Sequence, residues 1–383
     1  MYLHLPILTN KQFIPSHHHI FSLLFFQQKL NMEWTRSHVL GRGSSATVSA
    51  ATSTSGDVFA VKSVDFRQAE SLRKEQYFLS ILKSPYVVSY KGCDTTIEDN
   101  KTIYNVFIDY MSGGSISDLI KRRNGVGLTD SEIARYTRQI VQGLDYIHSN
   151  GIVHCDIKSG NILINESGAK ISDFGCAKWA SPNKLALAHL VQHAPICGTP
   201  MYMAPETARG EDQGIPADVW AVGCTVIEMA TGGSPWPDVN DPVSVLYKIA
   251  FSGEIPKIPD GLSDLAKDFV SKCLIRDPKQ RWTATQLLKH PYIQTEQFDE
   301  NSKIIVCEKM RTDSPTSILD QDVWNSSSWV GIDGLCSTSN SLRQRIKQLA
   351  DKSEMPKWRC EKGETDWMTI RKVNSESVTG GGR

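Results

Sequence analysis

The sequence predicts an α+β fold of two lobes, in which a small β-rich lobe with one main helix precedes a larger lobe built mostly of helices. Two observations predict this division. Strand-like runs around a glycine-rich turn fill residues 34–110, and helical periodicity dominates residues 129–288. The chain has 383 residues, of which 40% are hydrophobic, so it can bury a sizeable core.

The small lobe is predicted from short apolar and β-branched runs that are separated by turn residues. Ser55, Gly56 and Asp57 form one such turn, and Gly113 with Gly114 breaks the pattern after the last strand. A helical run interrupts the strands after the third. The predicted strands are residues 34–40, 48–52, 58–64, 87–93 and 103–110, and the predicted helix is residues 67–82.

The larger lobe begins with the clearest helix of the chain, in the run TDSEIARYTRQIVQGLDYIHSNG. Thr129 and Glu132 form a capping-box pair, the apolar residues recur on one face, and Gly151 is placed to end the helix. Four further helices are predicted over residues 218–229, 243–251, 262–274 and 283–288, and the lobe closes at His290 and Pro291.

The segments outside residues 32–292 differ in composition. We expect residues 1–31 to be a flexible extension that precedes the start of translation in the cell at Met32. A cleaved signal peptide is the weaker alternative, because the apolar run at residues 20–26 is only as long as the shortest apolar cores of signal peptides. Residues 293–383 are rich in Ser, Thr, Asp and Asn, which predicts a largely disordered regulatory or docking tail. Residues 341–352 could form a docking helix, and a tail without a specific partner is the alternative.

Charge and cysteine content exclude several classes of protein. The chain carries 42 basic and 42 acidic residues, so no global field attracts nucleic acid or a membrane surface. No run approaches the roughly 20 apolar residues of a membrane-spanning helix. The nine cysteines lack a CxxC pair, which is typical of a reducing compartment. We expect a cytoplasmic protein that could also enter the nucleus, with no nucleic-acid or membrane partner.

Two short runs, VHCDIKSGNILI and ISDFG, carry the residues that point to chemistry. Together they supply a candidate proton acceptor, Asp156, a charge-stabilising Lys158, and two oxygen ligands for metal, Asn161 and Asp173. These are the parts that a phosphoryl-transfer centre needs. The sequence therefore predicts catalytic roles for Asp156, Lys158 and Asn161 and a metal site at Asn161 and Asp173.

With the runs LGRGSSATV, FAVK and GTPMYMAPE, these loops resemble the protein kinase family in order from Gly41 to Arg281. The resemblance covers residues 34–292 and implies a bilobal protein-kinase fold that binds ATP and Mg²⁺. The form DIKxxN resembles serine/threonine kinases. The phrases SPYVVSYKG, HCDIKSGNILI and GTPMYMAPE look most like plant mitogen-activated protein kinase kinase kinases of the MEKK-like group. Such an enzyme would phosphorylate a mitogen-activated protein kinase kinase, with regulatory partners bound through the tail.

The resemblance also implies a nucleotide site. Its glycine-rich loop would press backbone N–H groups against phosphates, with Ala46 in place of the usual third glycine, for which we expect slower or tighter nucleotide handling. Lys62 would reach the α- and β-phosphates, held by Glu75, with Glu70 as the alternative partner. Backbone groups near the end of the fifth strand would meet adenine. The implied nucleotide-binding residues are Leu40, Gly41, Gly43, Ala46, Val48, Lys62, Glu75, Asp109 and Met111.

One position departs from the family pattern. Cys155 stands where most kinases carry an arginine that pairs with a phosphate on the activation loop, and a thiol cannot make that pair. Residues 176–197 contain one hydroxyl, Ser181, and Thr199 is a weaker phosphorylation candidate because the family's threonine there supports the catalytic loop. We therefore expect activity without loop phosphorylation. A pseudokinase scaffold and a small-molecule phosphotransferase are the alternatives, disfavoured by the intact catalytic set and by GTPMYMAPE.

Overall fold

The computed structural model describes residues 33–43, 46–180, 196–239 and 241–294. The predictions for the N-terminal extension, for Ser181, and for the tail and its docking helix lie outside these residues. Within them the predicted two-lobed α+β fold is confirmed: an antiparallel sheet with one long helix is followed by a helical lobe. None of the helices in this part of the chain has the length and apolar character needed to cross a bilayer.

The small lobe is a five-stranded antiparallel sheet, in which the first three strands are neighbours in chain order and the fifth strand lies between the third and the fourth. A 3₁₀ turn at Phe66–Gln68 leads from the third strand into helix α1, so the helix starts later than predicted. The elements are β1 (Trp34–Arg42), β2 (Thr47–Ser53), β3 (Val58–Asp65), α1 (Glu70–Ile81), β4 (Tyr90–Glu98) and β5 (Lys101–Asp109).

The fourth strand corrects the prediction of a strand over residues 87–93. Val88 donates its N–H to Ile171 O at 3.0 Å, outside the sheet, and β4 begins only at Tyr90. The strand then extends to Glu98, because Asp99 and Asn100 turn the chain with φ of 49° and 61°. Two consecutive residues with positive φ match the twist of a tight hairpin, and Asp and Asn tolerate that conformation.

A short loop ties the small lobe to the larger one. Besides the Val88 bond, Ile171 donates its N–H to Tyr86 O at 2.8 Å. The Tyr146 hydroxyl accepts the N–H of Lys83 at 2.8 Å. The chain between α1 and β4 is therefore hydrogen-bonded to elements of the larger lobe.

The larger lobe is organised around two helices, α3 (Asp130–Ser149) and α5 (Ile215–Thr231). The predicted capping box is present in α3: Thr129 Oγ1 accepts the N–H of Glu132, and Glu132 accepts the N–H of Thr129. Gly151, with φ of 75°, follows the end of the helix. Helix α5 is apolar on nearly all sides and is buried along most of its length, with Trp220 fully buried.

The remaining elements of this lobe are short. Two small antiparallel pairs carry the loops that matter for function: β6 (Ile152–Val153) pairs with β9 (Lys178–Trp179), and β7 (Ile162–Asn165) pairs with β8 (Gly168–Ile171). In chain order the elements are α2 (Ile116–Arg122), β6 (Ile152–Val153), β7 (Ile162–Asn165), β8 (Gly168–Ile171), β9 (Lys178–Trp179), α4 (Pro205–Ala208), α6 (Pro242–Phe251), α7 (Asp264–Cys273), α8 (Ala284–Leu287) and α9 (Pro291–Gln294).

Candidate active site

The loop after β6 is fixed by hydrogen bonds from its backbone to a carboxylate on α5. Asp218, 1% exposed, accepts the backbone N–H groups of His154 and Cys155 at 2.8 Å each. The His148 ring nitrogen lies 2.9 Å from the same carboxylate. Because a buried carboxylate must be satisfied by donors, this arrangement fixes the backbone from which the next residue, Asp156, projects.

Asp156 contacts the side chains of Thr199 and Lys158. Its Oδ1 accepts the hydroxyl of Thr199 at 2.8 Å, and its Oδ2 lies 3.0 Å from Lys158 Nζ. Lys158 also donates to Thr199 Oγ1 at 2.7 Å. Burial works against the charge of Lys158, but the carboxylate of Asp156 raises its pKa above the usual value. The structure thus places a carboxylate and an ammonium group side by side, both in fixed orientations.

Asn161 connects the two predicted catalytic loops. Its Nδ2 donates to the backbone oxygen of Asp156 at 2.8 Å and to Asp156 Oδ2 at 2.9 Å, which leaves its Oδ1 for another ligand. Its backbone oxygen accepts both the N–H and the hydroxyl of Ser172, each at 2.9 Å. Since Ser172 directly precedes Asp173, these bonds bring the two predicted metal ligands onto adjacent loops.

Lys62 bridges the two lobes. Its Nζ lies 2.6 Å from Glu75 Oε2 on α1 and 3.0 Å from Asp173 Oδ1. The structure therefore pairs Lys62 with Glu75 and not with the alternative, Glu70, which is exposed at the start of α1. The bond joins β3, α1 and the loop after β8, which come from distant parts of the sequence.

The ionisation of this group favours a charged lysine and a charged Asp173. Burial opposes the charge of Lys62, yet the carboxylates of Asp173 and Glu75 raise its pKa above the usual value. Burial would raise the pKa of Asp173, but the ammonium of Lys62 lowers it to about 2. Burial raises the pKa of Glu75 to about 7, against the attraction of Lys62. Lys62 and Asp173 are therefore both charged in the cleft, and Glu75 remains in contact with Lys62 at 2.6 Å.

The donor atoms fit a hard divalent cation. Asn161 offers a carbonyl oxygen in a fixed orientation, and Asp173 offers an ionised carboxylate whose side chain is 44% exposed. No group of three or more His, Cys, Asp or Glu side chains that could hold a metal occurs among the described residues. Two protein oxygens with the remaining positions filled by phosphate and water is the coordination that Mg²⁺ favours.

Asp173 adopts a left-handed backbone conformation, with φ of 64° and ψ of 75°. Such a conformation is uncommon for a residue with a side chain and marks sites that the surrounding structure over-determines. Phe174, the next residue, is fully buried, with its ring 4.8 Å from that of His154. The His154 ring nitrogen Nε2 lies 3.0 Å from Ser172 O. These contacts hold the turn that directs the Asp173 carboxylate to Lys62.

The glycine-rich turn joins β1 to β2. Gly41 pairs with Val48 in the sheet, and Gly43 donates its N–H to Ala46 O at 2.9 Å. Leu40 and Val48 pack against the core of the two lobes. Residues 44 and 45, the tip of the turn, lie outside the described residues. The five residues expected to contact nucleotide here are thus placed at the end of a hairpin beside β3, where Lys62 pairs with Val48.

The end of β5 places Asp109 and Met111 between the lobes. The N–H of Asp109 already donates to Ser89 O at 3.2 Å, so the expected adenine contact can use only its carbonyl. The Asp109 carboxylate lies 2.7 Å from Lys170 Nζ on β8. Met111 is 7% exposed, and its carbonyl accepts the N–H of Gly114 at 3.1 Å. The strand end is therefore pinned to the larger lobe by an ion pair.

The run GTPMYMAPE crosses the front of the larger lobe. Glu206, on α4, forms a bidentate pair with Arg281, with N···O distances of 2.7 and 3.0 Å. Both residues are buried, and the guanidinium stacks over the ring of Trp220, 5.2 Å from its centroid. Buried charges of this kind need each other, because removing one leaves the other unpaired in the interior.

Several residues that position the site carry no predicted role from the sequence, among them Ser172, Lys170 and Gln213. Gln213, 5% exposed, donates Nε2 to Cys155 O at 3.1 Å and to Cys197 O at 3.0 Å. None of the three has a local signature, since their partners are distant in sequence.

Comparison with known proteins agrees with this geometry. The model of the protein kinase domain family matches residues 34–293. The chain is 48% identical over 305 residues to mitogen-activated protein kinase kinase kinase 18 of Arabidopsis thaliana, which covers 77% of this chain and 86% of that protein. It is 47% identical over 301 residues to mitogen-activated protein kinase kinase kinase 17 of the same plant, and the match covers 77% of this chain and 78% of that protein. It is 39% identical over 308 residues to mitogen-activated protein kinase kinase kinase 20 of Arabidopsis thaliana, and the match covers 77% of this chain and 89% of that protein.

Proposed function

Because the chain belongs to the protein kinase family and is a protein serine/threonine kinase, we propose that it acts as a mitogen-activated protein kinase kinase kinase and phosphorylates a mitogen-activated protein kinase kinase. The observation that carries the proposal is the joined set of contacts from Lys62 through Asp173 to Asp156. The names of the most similar plant proteins support the choice of substrate.

The geometry supports one proposed step for each side chain. The carboxylate of Asp156 would accept the proton of an incoming serine or threonine hydroxyl, because its orientation is fixed by Thr199 and Asn161. Lys158, 3.0 Å from that carboxylate, would neutralise charge that develops on the transferred phosphoryl group. Lys62 would hold the nucleotide phosphates, and Glu75 keeps Lys62 in place.

Membership of the family implies the use of ATP and a divalent metal. We propose that the metal is magnesium, held by Asn161 and Asp173, because hard oxygen donors and an incomplete protein cage suit that ion. When bound, it would supply positive charge that neutralises the phosphates. Asp173 would reach it from the same turn that contacts Lys62.

The setting of the enzyme in the cell is part of the proposal. We infer that it works in the cytoplasm and can also enter the nucleus, and that residues 293–383 bind regulatory partners. The absence of net charge, with 42 basic and 42 acidic residues, supports a partner that is neither nucleic acid nor membrane.

The full-length chain, made in bacteria and treated with phosphatase, tests the proposed substrate. Radiolabelled phosphate transfer from ATP is measured to kinase-dead forms of a mitogen-activated protein kinase kinase, of a mitogen-activated protein kinase, and to a generic basic protein. We expect the first to be phosphorylated best, and magnesium to support more transfer than calcium. The Asp156→Asn chain is the matched control. Equal transfer to all three acceptors would contradict the proposed specificity, and no transfer with retained nucleotide binding would favour a scaffold.

A further inference from the structure

The Gln213 side chain joins the catalytic loop to the segment that carries Thr199. Gln213 lies in the loop between α4 and α5 and is 5% exposed. Its Nε2 donates to Cys155 O at 3.1 Å and to Cys197 O at 3.0 Å, while its Oε1 accepts the N–H of Cys197 at 3.4 Å. Both hydrogens of one carboxamide are thus given to backbone oxygens on two different segments.

The two segments touch at the backbone. Gly198 has φ of 113°, and a Cβ atom added there would lie 2.5 Å from Cys155 O. The chain at residues 197–199 therefore passes directly over the carbonyl that Gln213 binds. Only glycine fits, because any side chain would collide with backbone that cannot move aside. Because the contact is this close, a displacement of residues 197–199 would also displace the backbone of Cys155.

Cys155 takes part through its backbone alone. Its φ is 68°, in the left-handed region, and its carbonyl points to Gln213. Its Sγ lies 3.7 Å from Val153 O, on the side of the preceding strand. Burial and the nearby carboxylate of Asp218 raise the pKa of this thiol above its usual value, so it is a neutral group. Neither Cys155 nor Gln213 brings a charge to this contact.

The segment that Gln213 holds ends in a side chain of the active site. Thr199 follows Cys197 by two residues, and its hydroxyl contacts both Asp156, at 2.8 Å, and Lys158, at 2.7 Å. Cys155 directly precedes Asp156. The carboxamide therefore fixes the backbone on both sides of the Thr199–Asp156 hydrogen bond, without touching either residue.

We propose that Gln213 is a positioning residue, whose neutral carboxamide holds residues 197–199 on the catalytic loop so that the unphosphorylated chain is already competent for phosphoryl transfer. The proposal concerns regulation of the site described above, and so it rests on the proposed kinase activity. A hold made of three neutral hydrogen bonds requires no phosphate and no cation to form. Its strength comes from burial, because each backbone oxygen left without a donor there would carry a desolvation cost.

The test compares Gln213→Leu and Gln213→Glu with Gln280→Leu in the full-length, phosphatase-treated chain. Gln280 is exposed and bonds only Asp277, so its change should be silent. The acceptor is a generic basic protein. We expect Gln213→Leu to lower kcat by about 10- to 100-fold, as a small misplacement of reacting groups does, with the KM for ATP within about 2-fold of the wild type. A general loss of structure would instead reduce kcat and ATP affinity together.

Gln213→Glu supplies a readout that does not depend on the leucine variant folding. Its carboxylate would face two backbone oxygens and repel them, whereas the protonated acid can donate one hydrogen bond. The ratio of its kcat to that of the wild type should rise as the pH falls from about 8 to about 6, because burial among acceptors raises a carboxyl pKa.

Three results would overturn the proposal: kcat of Gln213→Leu equal to that of the control, a pH-independent ratio for Gln213→Glu, or a wild-type chain that is inert on the generic protein until an upstream kinase phosphorylates it. Transfer to the mitogen-activated protein kinase kinase is measured in parallel. If the mitogen-activated protein kinase kinase is not phosphorylated but the generic protein is, only the proposed substrate is contradicted. The role of Gln213 is tested by the transfer of phosphate to the generic protein.

Discussion

Thr199 Oγ1 donates a hydrogen bond to Asp156 Oδ1 at 2.8 Å, although the two residues stand 43 positions apart in the chain. The same oxygen accepts a hydrogen from Lys158 Nζ at 2.7 Å. The hydroxyl of Thr199, a residue that is 6% exposed, therefore orients both the proposed proton acceptor and the proposed charge-neutralising group. A phosphate on this oxygen would remove its donor and break the arrangement, so phosphorylation of Thr199 should inhibit the enzyme.

Replacing this hydroxyl tests its orienting role. Thr199→Val keeps the shape but removes the donor and the acceptor, and kcat should fall by about 10-fold or more because the carboxylate is no longer held. Thr199→Ser keeps the oxygen and should retain most of the activity. Steady-state phosphate transfer by the two variants is the measurement. Equal loss in both would contradict a specific role of the hydroxyl, because Thr199→Ser keeps that group.

Removing the proposed proton acceptor should separate chemistry from binding. In Asp156→Asn, turnover should fall by about 10²- to 10⁴-fold, the usual contribution of a general base. Nucleotide affinity should stay the same, because the phosphate-binding contacts run through Lys62, Glu75 and Asp173. Single-turnover transfer and a nucleotide titration measure the two effects. Lys62→Met is the contrasting variant, since it should weaken nucleotide binding itself.

The buried pair between Glu206 and Arg281 should be sensitive to geometry as well as to charge. Arg281→Lys keeps the charge but loses the two-pronged contact, and the free energy of unfolding should fall by about 3 kcal/mol. Arg209→Lys is the matched control, because the Arg209–Glu211 pair is exposed and should change stability by less than about 1 kcal/mol. Urea unfolding of both variants measures the difference, and similar losses would contradict a special role for the buried pair.

Asp109 should make stability depend on pH. Burial would raise the pKa of Asp109, but the hydrogen bond from Lys170 lowers it to about 2, below the usual 3.8. The folded state therefore favours the ionised form, and the stabilisation is present above the usual pKa and lost as pH falls toward 2. At neutral pH, Asp109→Asn should lower the free energy of unfolding by about 1 kcal/mol after allowance for solvent screening.

The difference between wild type and Asp109→Asn should stay constant from neutral pH down to about pH 5 and shrink below about pH 4. Unfolding by urea at a series of pH values provides the measurement. Asp260→Asn serves as control, since the Asp260 side chain is 95% exposed and lies 3.9 Å from Lys257. A gap that widens on acidification would show that the sign of the Asp109 contribution is wrong.

Local sequence patterns were sufficient for the elements and motifs whose residues lie close together in the chain. The capping box of α3 is such a case, because Thr129 and Glu132 are three residues apart. The loops that carry Asp156 and Asp173 are another, because their spacing is set by two short strands between them. Fold class and the identity of most side chains in the cleft follow from patterns of this kind.

What the sequence did not reveal depends on long-range contacts or on the choice between two backbone partners. Nothing near Gln213 indicates that its amide meets Cys155 and Cys197. The strand pattern predicts an earlier start of β4 than the structure shows, because Val88 favours strands but its N–H donates to Ile171 O outside the sheet. The hairpin at Asp99 and Asn100 has a local signal, because Asp and Asn both tolerate the left-handed conformation of tight turns.

We expect the loop between α1 and β4 to act as the pivot when the two lobes move relative to each other. Its backbone bonds at Tyr86 and Val88 both end on Ile171, two residues before Asp173. We therefore expect any rocking of the sheet to be smallest at this loop and largest at the glycine-rich end of β1 and β2. The amide hydrogens of Val88 and Ile171 should accordingly exchange with solvent more slowly than those of the glycine-rich hairpin. Nucleotide binding should slow the exchange of the hairpin amides and leave the exchange of the Val88 and Ile171 amides unchanged.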